Sequence, residues 1–163
     1  MRKALGSLVL LSSLLVAHVG VQAEGLDTKR IYLGGGLGAN SLPGVGSARG
    51  FQFFAGYDFD FKINEDISTA VEIGYMDSGD FDRINSSGNF GDATGIWAAA
   101  VESVALSSKT NMLVRLGYDF GDDDGFILGT GLEYMFDTKS ALRMEYVARD
   151  HINGLQVNVL FKF

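Results

Sequence analysis

The sequence predicts an all-β fold, an eight-stranded antiparallel transmembrane β-barrel, on three observations. From Arg30 onward apolar residues recur at every second position, the period of a strand with one apolar face. Eight such segments can be counted, punctuated by clusters of Gly, Asp, Asn and Ser that favour turns. Twenty-two glycines, one proline and 47% hydrophobic residues, without a long apolar run after the N-terminal stretch, suit alternating strands better than a helical core.

The N-terminal stretch has its own logic. Arg2 and Lys3 precede an apolar run around residues 8–17, and Val21-Gln22-Ala23 stands before Glu24, the three parts of a cleavable secretory signal. Residues 1–23 are therefore expected to be a signal peptide and 24–163 the barrel domain. The signal holds two of the 13 basic residues and none of the 20 acidic ones, so residues 24–163 carry eleven positive against twenty negative groups, a formal charge of −9. That balance argues against a nucleic-acid partner. The absence of cysteine argues against a disulfide framework and a lipid-anchored N-terminus.

The first segment sets Ile31, Leu33, Gly35, Leu37 and Ala39 against Tyr32, Gly34, Gly36, Gly38 and Asn40. In the second, from about residue 50 to 64, Phe51, Phe53, Ala55, Tyr57, Phe59, Phe61 and Ile63 oppose Gln52, Phe54, Gly56, Asp58, Asp60 and Lys62; only Phe54 breaks the pattern. The third opposes Ile67, Thr69, Val71, Ile73 and Tyr75 to Ser68, Ala70, Glu72, Gly74 and Met76, and the longest connection, 77–93, follows. In the fourth, 94–106, Trp97, Ala99, Val101 and Ala105 oppose Ile96, Ala98, Ala100 and Glu102; its small residues fit a helix equally well, and its neighbours decide for a strand. The fifth opposes Met112, Val114, Leu116, Tyr118 and Phe120 to Leu113, Arg115, Gly117 and Asp119. After a tight loop at 121–125, the sixth opposes Phe126, Leu128, Thr130, Leu132, Tyr134 and Phe136 to Ile127, Gly129, Gly131, Glu133 and Met135. The seventh opposes Leu142, Met144, Tyr146 and Ala148 to Arg143, Glu145, Val147 and Arg149. The eighth puts Leu155, Val157, Val159, Phe161 and Phe163 opposite Gln156, Asn158 and Lys162.

Short turns after segments two, four and six alternate with more variable loops after one, three, five and seven, the asymmetry of outer-membrane barrels. Volume decides which face is inside. An eight-stranded interior admits a narrow column of side chains. The face with Trp97, five tyrosines and most phenylalanines overfills it, whereas the glycine-rich face leaves room for charged groups. The bulky face is therefore expected in lipid. Its aromatics sort into an inner girdle (Tyr134, Phe136, Phe59, Phe61, Phe161, Phe163) and an outer one (Tyr75, Trp97, Tyr118, Phe120, Phe126).

On Ile31-Tyr32-Leu33-Gly34-Gly35-Gly36-Leu37-Gly38, Gly129-Thr130-Gly131-Leu132-Glu133-Tyr134, Arg143-Met144-Glu145-Tyr146 and the final Phe, the chain resembles the small OmpA-like and OmpX-like outer-membrane β-barrels. The resemblance implies a bacterial outer-membrane location, surroundings of lipid and lipopolysaccharide, and a lumenal Glu/Arg network. It also implies recognition by the outer-membrane assembly machinery through Gln156, Phe161 and Phe163, with Asn158 where that signal usually has Gly. OmpA's peptidoglycan-binding domain has no counterpart in residues 24–163, so that role is not carried over.

Six charges are expected to form the lumenal network: Glu72, Glu102, Arg115, Glu133, Arg143 and Glu145. In a narrow lumen they should pair, because an unpaired buried charge costs several kcal/mol. Counted along all strands, seven inward acids (Asp58, Asp60, Glu72, Glu102, Asp119, Glu133, Glu145) face five inward bases (Lys62, Arg115, Arg143, Arg149, Lys162), which leaves two carboxylates for the wet ends. A salt-bridged plug is the favoured reading and a gated ion path the other. Acidic loop residues Asp77, Asp80, Asp82 and Asp92, then Asp122, Asp123 and Asp124, offer oxygens to divalent cations, but the spacing fits no EF-hand and a solvated surface is preferred, so no metal or other cofactor is expected. Catalysis is not expected either. His151 is the one histidine after residue 23, and no serine lies beside it as a hydrolase would require. The function expected is that of a structural barrel supporting the envelope, with loops that contact lipopolysaccharide or a surface partner; the alternative is an adhesion or immune-evasion barrel.

Overall fold

The computed structural model describes residues 27–64, 67–81 and 91–163, with the side chains of 60–64 left out. The expected signal peptide, residues 1–23, lies outside the described residues, as does Asp82. A 3₁₀ turn, Thr28–Arg30, capped by the Asp27 carboxylate on Lys29 N at 3.1 Å, leads into the first strand. Eight strands follow: β1 (Ile31–Leu42), β2 (Gly46–Asn64), β3 (Ile67–Asp77), β4 (Thr94–Ala105), β5 (Thr110–Asp119), β6 (Gly125–Met135), β7 (Ser140–Ala148) and β8 (Asn153–Lys162). Each pairs antiparallel with its neighbour, and β1 pairs with β8, so the sheet closes as a barrel without an edge.

Strand boundaries follow the alternation closely, with one extension. β1 and β2 continue their ladder to Leu42↔Gly46, so their connection shrinks to residues 43–45, with Gly44 at φ 78° supplying the left-handed turn. At the end of the barrel that holds both termini the turns are short. In one of them Asp137 accepts bonds from Ser140 Oγ (2.7 Å), Lys139 N (2.7 Å) and Ser140 N (2.9 Å), and these hold its carboxyl below the usual carboxylate range. The longest connection, after β3, is at the other end. By the loop asymmetry of such barrels, the end with the termini faces the periplasm.

In seven strands the faces fall as the alternation predicts, as far as side chains are described. Leu37, Phe53, Ile73, Leu128, Tyr146 and Val159 are exposed outward, while Glu72, Arg115, Ile127, Glu145 and Asn158 are fully buried inside. Stacked or edge-on pairs mark the two girdles, Phe53 with Tyr75 and Tyr118 with Phe126 at the outer level, Tyr57 with Phe59 and Tyr134 with Phe136 at the inner.

The fourth strand has the opposite phase. Trp97, Ala99 and Val101 are buried in the lumen, and Ile96 and Ala100 face out, so Trp97 leaves the outer girdle and Glu102 leaves the interior. The cause is the cross-strand register. Trp97 pairs with Gly74, where even a Cβ would stand only 2.6 Å from the indole. Three large rings occupy the interior in this way, each against glycine: Tyr32 on Gly56, Phe54 on Gly34 and Gly74, Trp97 on Gly74. The glycines thus leave holes shaped for rings instead of a column of small side chains.

Placing Leu at Gly56 or Gly74 is therefore expected to block barrel closure or cost well over the roughly 1–3 kcal/mol of ordinary overpacking. Leu132→Arg or Val157→Arg, on the lipid face, is expected to cost about 2–4 kcal/mol near the midplane. Urea-unfolding midpoints in lipid vesicles and the heat-modifiability of gel mobility check both.

Candidate functional site

Fixed by alternation on β3, β5, β6 and β7, five of the six charges expected inside converge in one network. The Glu72 carboxylate is its centre. One oxygen accepts from Arg115 Nη2 at 2.6 Å; the other accepts from Arg143 Nη1 at 2.6 Å and from the Tyr32 hydroxyl at 2.6 Å. Arg115 Nη2 also reaches Glu145 at 3.1 Å, and Arg143 grips Glu133 through Nε at 3.0 Å and Nη2 at 2.9 Å. Three carboxylates against two guanidinium groups leave the cluster one negative charge in excess; the Tyr32 hydroxyl and, at 3.5 Å, the Asn158 amide add two neutral donors to the carboxylates.

The rings in the glycine holes complete the cluster. Arg115 carries its guanidinium carbon 4.6 Å from the Trp97 centroid and 5.8 Å from that of Phe54, while its Nε and Nη1 form no hydrogen bond. Arg143 lies 5.7 Å from Phe54 and 5.9 Å from Tyr32. Charge and aromatic volume therefore occupy the same cross-section.

Above and below, smaller contacts continue the filling. Gln52 Nε2 donates to Gln156 and Asn158 at 2.8 and 2.9 Å, and Arg149 pairs with Asp119 at 3.1 Å near the outer end. Over the outer mouth Ala48, Phe81 and Ile152 form a separate buried apolar cluster. Asp123 holds that cover down by accepting from the backbone N–H groups of His151 (3.0 Å) and Ile152 (3.1 Å). At the inner end a cavity of about 250 Å³ remains, floored by Arg143, Glu133 and Tyr32 and rimmed by Asp58 and Lys162, which pair at 3.0 Å.

Glu102 is not part of this network. Opposite in phase to Val101, it lies on the outward face beside Thr69, whose hydroxyl donates to both carboxylate oxygens at 3.1 and 3.0 Å. Trp97 and Tyr32, the rings that flank the cluster, were not legible as partners of it, because alternation gives a side chain's face but not the residue across from it. The Asp60 and Lys62 side chains are outside the described residues. Of the predicted assembly signal, Phe161 and Phe163 are exposed, and Gln156 is buried in the lumen. His151 is exposed, with Nδ1 3.0 Å from Asp123 and 3.1 Å from Asp150. Among the described residues no three His, Cys, Asp or Glu side chains are placed to hold a metal ion.

The model of the outer membrane protein beta-barrel domain matches residues 8–163. The chain belongs to that family. Its place is the bacterial outer membrane, and the resemblance to the small OmpA-like and OmpX-like barrels is consistent with that family. No curated protein matches the chain. Among solved structures, Ail of Yersinia pestis in a phospholipid nanodisc is similar at 12% identity and a TM-score of 0.58, over 82% of this chain and 98% of that one. A de novo designed transmembrane β-barrel is similar at 13% identity and a TM-score of 0.57, over 85% and 100%. Neisserial surface protein A is similar at 19% identity and a TM-score of 0.50, over 86% and 100%. At these identities the likeness is one of fold.

Because removing one partner of a buried pair strands the other, Arg115→Ala and Arg143→Ala are each expected to lower stability by about 3–5 kcal/mol. Lys139→Ala in an exposed turn is expected to stay within roughly 0.5 kcal/mol. Glu72→Gln should fall with the arginine variants and Glu102→Gln with the turn variant. Urea unfolding in vesicles ranks them, and an Arg115→Ala protein as stable as its parent would remove the network from its central place.

Proposed function

We propose that the chain is a structural barrel of the outer membrane, closed to ions, that supports envelope integrity without catalysis. The observation that carries this is the Glu72–Arg115–Arg143 cluster packed with Tyr32, Phe54 and Trp97. It fills the lumen's cross-section with groups that are each charge-paired or ring-stacked. The apolar cover of Ala48, Phe81 and Ile152 at the outer mouth supports the same reading. The outer loops would then meet a surface partner, or lipopolysaccharide through divalent cations that bridge its phosphates to their carboxylates. The exposed aromatic pair Phe161 and Phe163, with Gln156 in the lumen, is proposed as the segment offered to the assembly machinery.

A second reading, adhesion or immune evasion through the loops, draws on the structural likeness to Ail, the attachment invasion locus protein, one structure of which holds the heparin analogue sucrose octasulfate. Charge separates the two readings. The described outer loops present Asp80, Asp92, Asp122, Asp124 and Asp150, which repel a polyanion, so a heparin-like ligand does not suit this surface. A small gated pore ranks behind both.

In planar bilayers the purified protein is expected to give no sustained conductance, and a strain lacking it to be more sensitive to detergent. Stable ion-selective channels from the wild-type chain would overturn the closed-barrel reading. Host-matrix binding lost on deletion of residues 78–92 would move adhesion to first place.

A further inference from the structure

We propose that Glu102 and Thr69 form a headgroup site on the lipid-facing surface, which takes the primary ammonium of a phospholipid from the inner leaflet. Among the described strand residues, Glu102 is the one side chain charged at neutral pH that faces outward between the two aromatic girdles. Its outward neighbours across the sheet and along the strand, Val71, Ala100, Val104 and Val114, are apolar. A carboxylate held among apolar side chains near the membrane surface favours a cationic partner that can also donate hydrogen bonds.

Thr69 supplies part of the hydrogen bonding. Its hydroxyl bonds both carboxylate oxygens, and Thr69 is 2% exposed, so the carboxylate is anchored against the sheet and not free to swing to water. A single hydroxyl donor leaves most of the acceptor capacity of a carboxylate unused. The other outward threonine at this level, Thr130, spends its hydroxyl on the Leu113 carbonyl at 3.1 Å and demands nothing from the membrane.

Depth selects the occupant. Glu102 lies three residues from the inner end of β4, and Thr69 pairs with Phe59 of the inner girdle, so the carboxylate sits at the level of inner-leaflet headgroups. There the complementary group is a cation with N–H donors. A primary ammonium provides three such donors and a charge; a quaternary ammonium provides the charge alone.

The test uses the full chain in nanodiscs of phosphatidylethanolamine with phosphatidylglycerol, and of phosphatidylcholine with the same fraction of phosphatidylglycerol. Lipid retained on the protein is read by native mass spectrometry and thermal stability by gel shift. Wild type is expected to retain the ethanolamine lipid several-fold over the choline lipid and to unfold at a higher temperature in it. Glu102→Gln should lose both preferences, Thr69→Val should weaken them, and Thr69→Ser should keep them. If Glu102→Gln does not fold, the Thr69 pair still decides. Equal retention by wild type and Glu102→Gln would overturn the site. So would self-crosslinking of Glu102→Cys to the same extent in both lipids, which would make the occupant a second copy of the chain.

Discussion

Inside the barrel the arrangement depends on the Glu72 carboxylate, whose two oxygens each pair with a different guanidinium group, that of Arg115 and that of Arg143. Glu72, Arg115 and Glu145 are fully buried there, so Coulomb attraction is strong and so is the cost of any unpaired member. Two arginines could not share the lumen without Glu72, and Glu133 and Glu145 could not be buried without the arginines. The network is a single unit in which each residue's burial is conditional on the rest.

Volume imposes a second condition on the same cross-section. Eight strands enclose too little space for three aromatic rings on ordinary backbone neighbours, and the rings fit only where Gly34, Gly56 and Gly74 remove the facing side chain. Those rings in turn face the guanidinium groups, giving cation–π contacts worth about 2 kcal/mol or more where water is excluded. Glycine placement, ring placement and arginine burial are therefore one solution to one packing problem.

The barrel itself was legible from alternation because a strand exposed to lipid on one face and packed on the other has no other way to arrange its side chains. Five of the six network charges could be assigned to the lumen for the same reason. The fourth strand failed because bulk was used to decide its phase. Bulk alone assigns Trp97 to lipid, because a narrow lumen excludes large rings, but bulk takes no account of the partner across the sheet. Gly74 is 23 residues away in sequence, and its pairing with Trp97 is set by the register of β3 on β4, which period-two counting does not read. The extended β1–β2 ladder was missed for a related reason, since Leu42 and Gly46 pair through turn geometry around Gly44 and not through an apolar face.

Trp97 in the lumen and Glu102 in the lipid are one fact, because five residues apart on a regular strand means opposite faces. The other phase would bury Glu102 and expose Trp97. It would leave the Gly74 hole empty and remove the ring over Arg115, forfeiting a cation–π contact of about 2 kcal/mol and the dispersion of a filled site. It would also bring a fourth carboxylate toward a network already holding three against two guanidinium groups. Against that stands the cost of a carboxylate facing out three residues from the strand's inner end, where charged groups on a barrel surface cost roughly 0–1 kcal/mol. The comparison favours the observed phase by a clear margin, so the outward carboxylate is what the interior's packing imposes on the membrane face of β4.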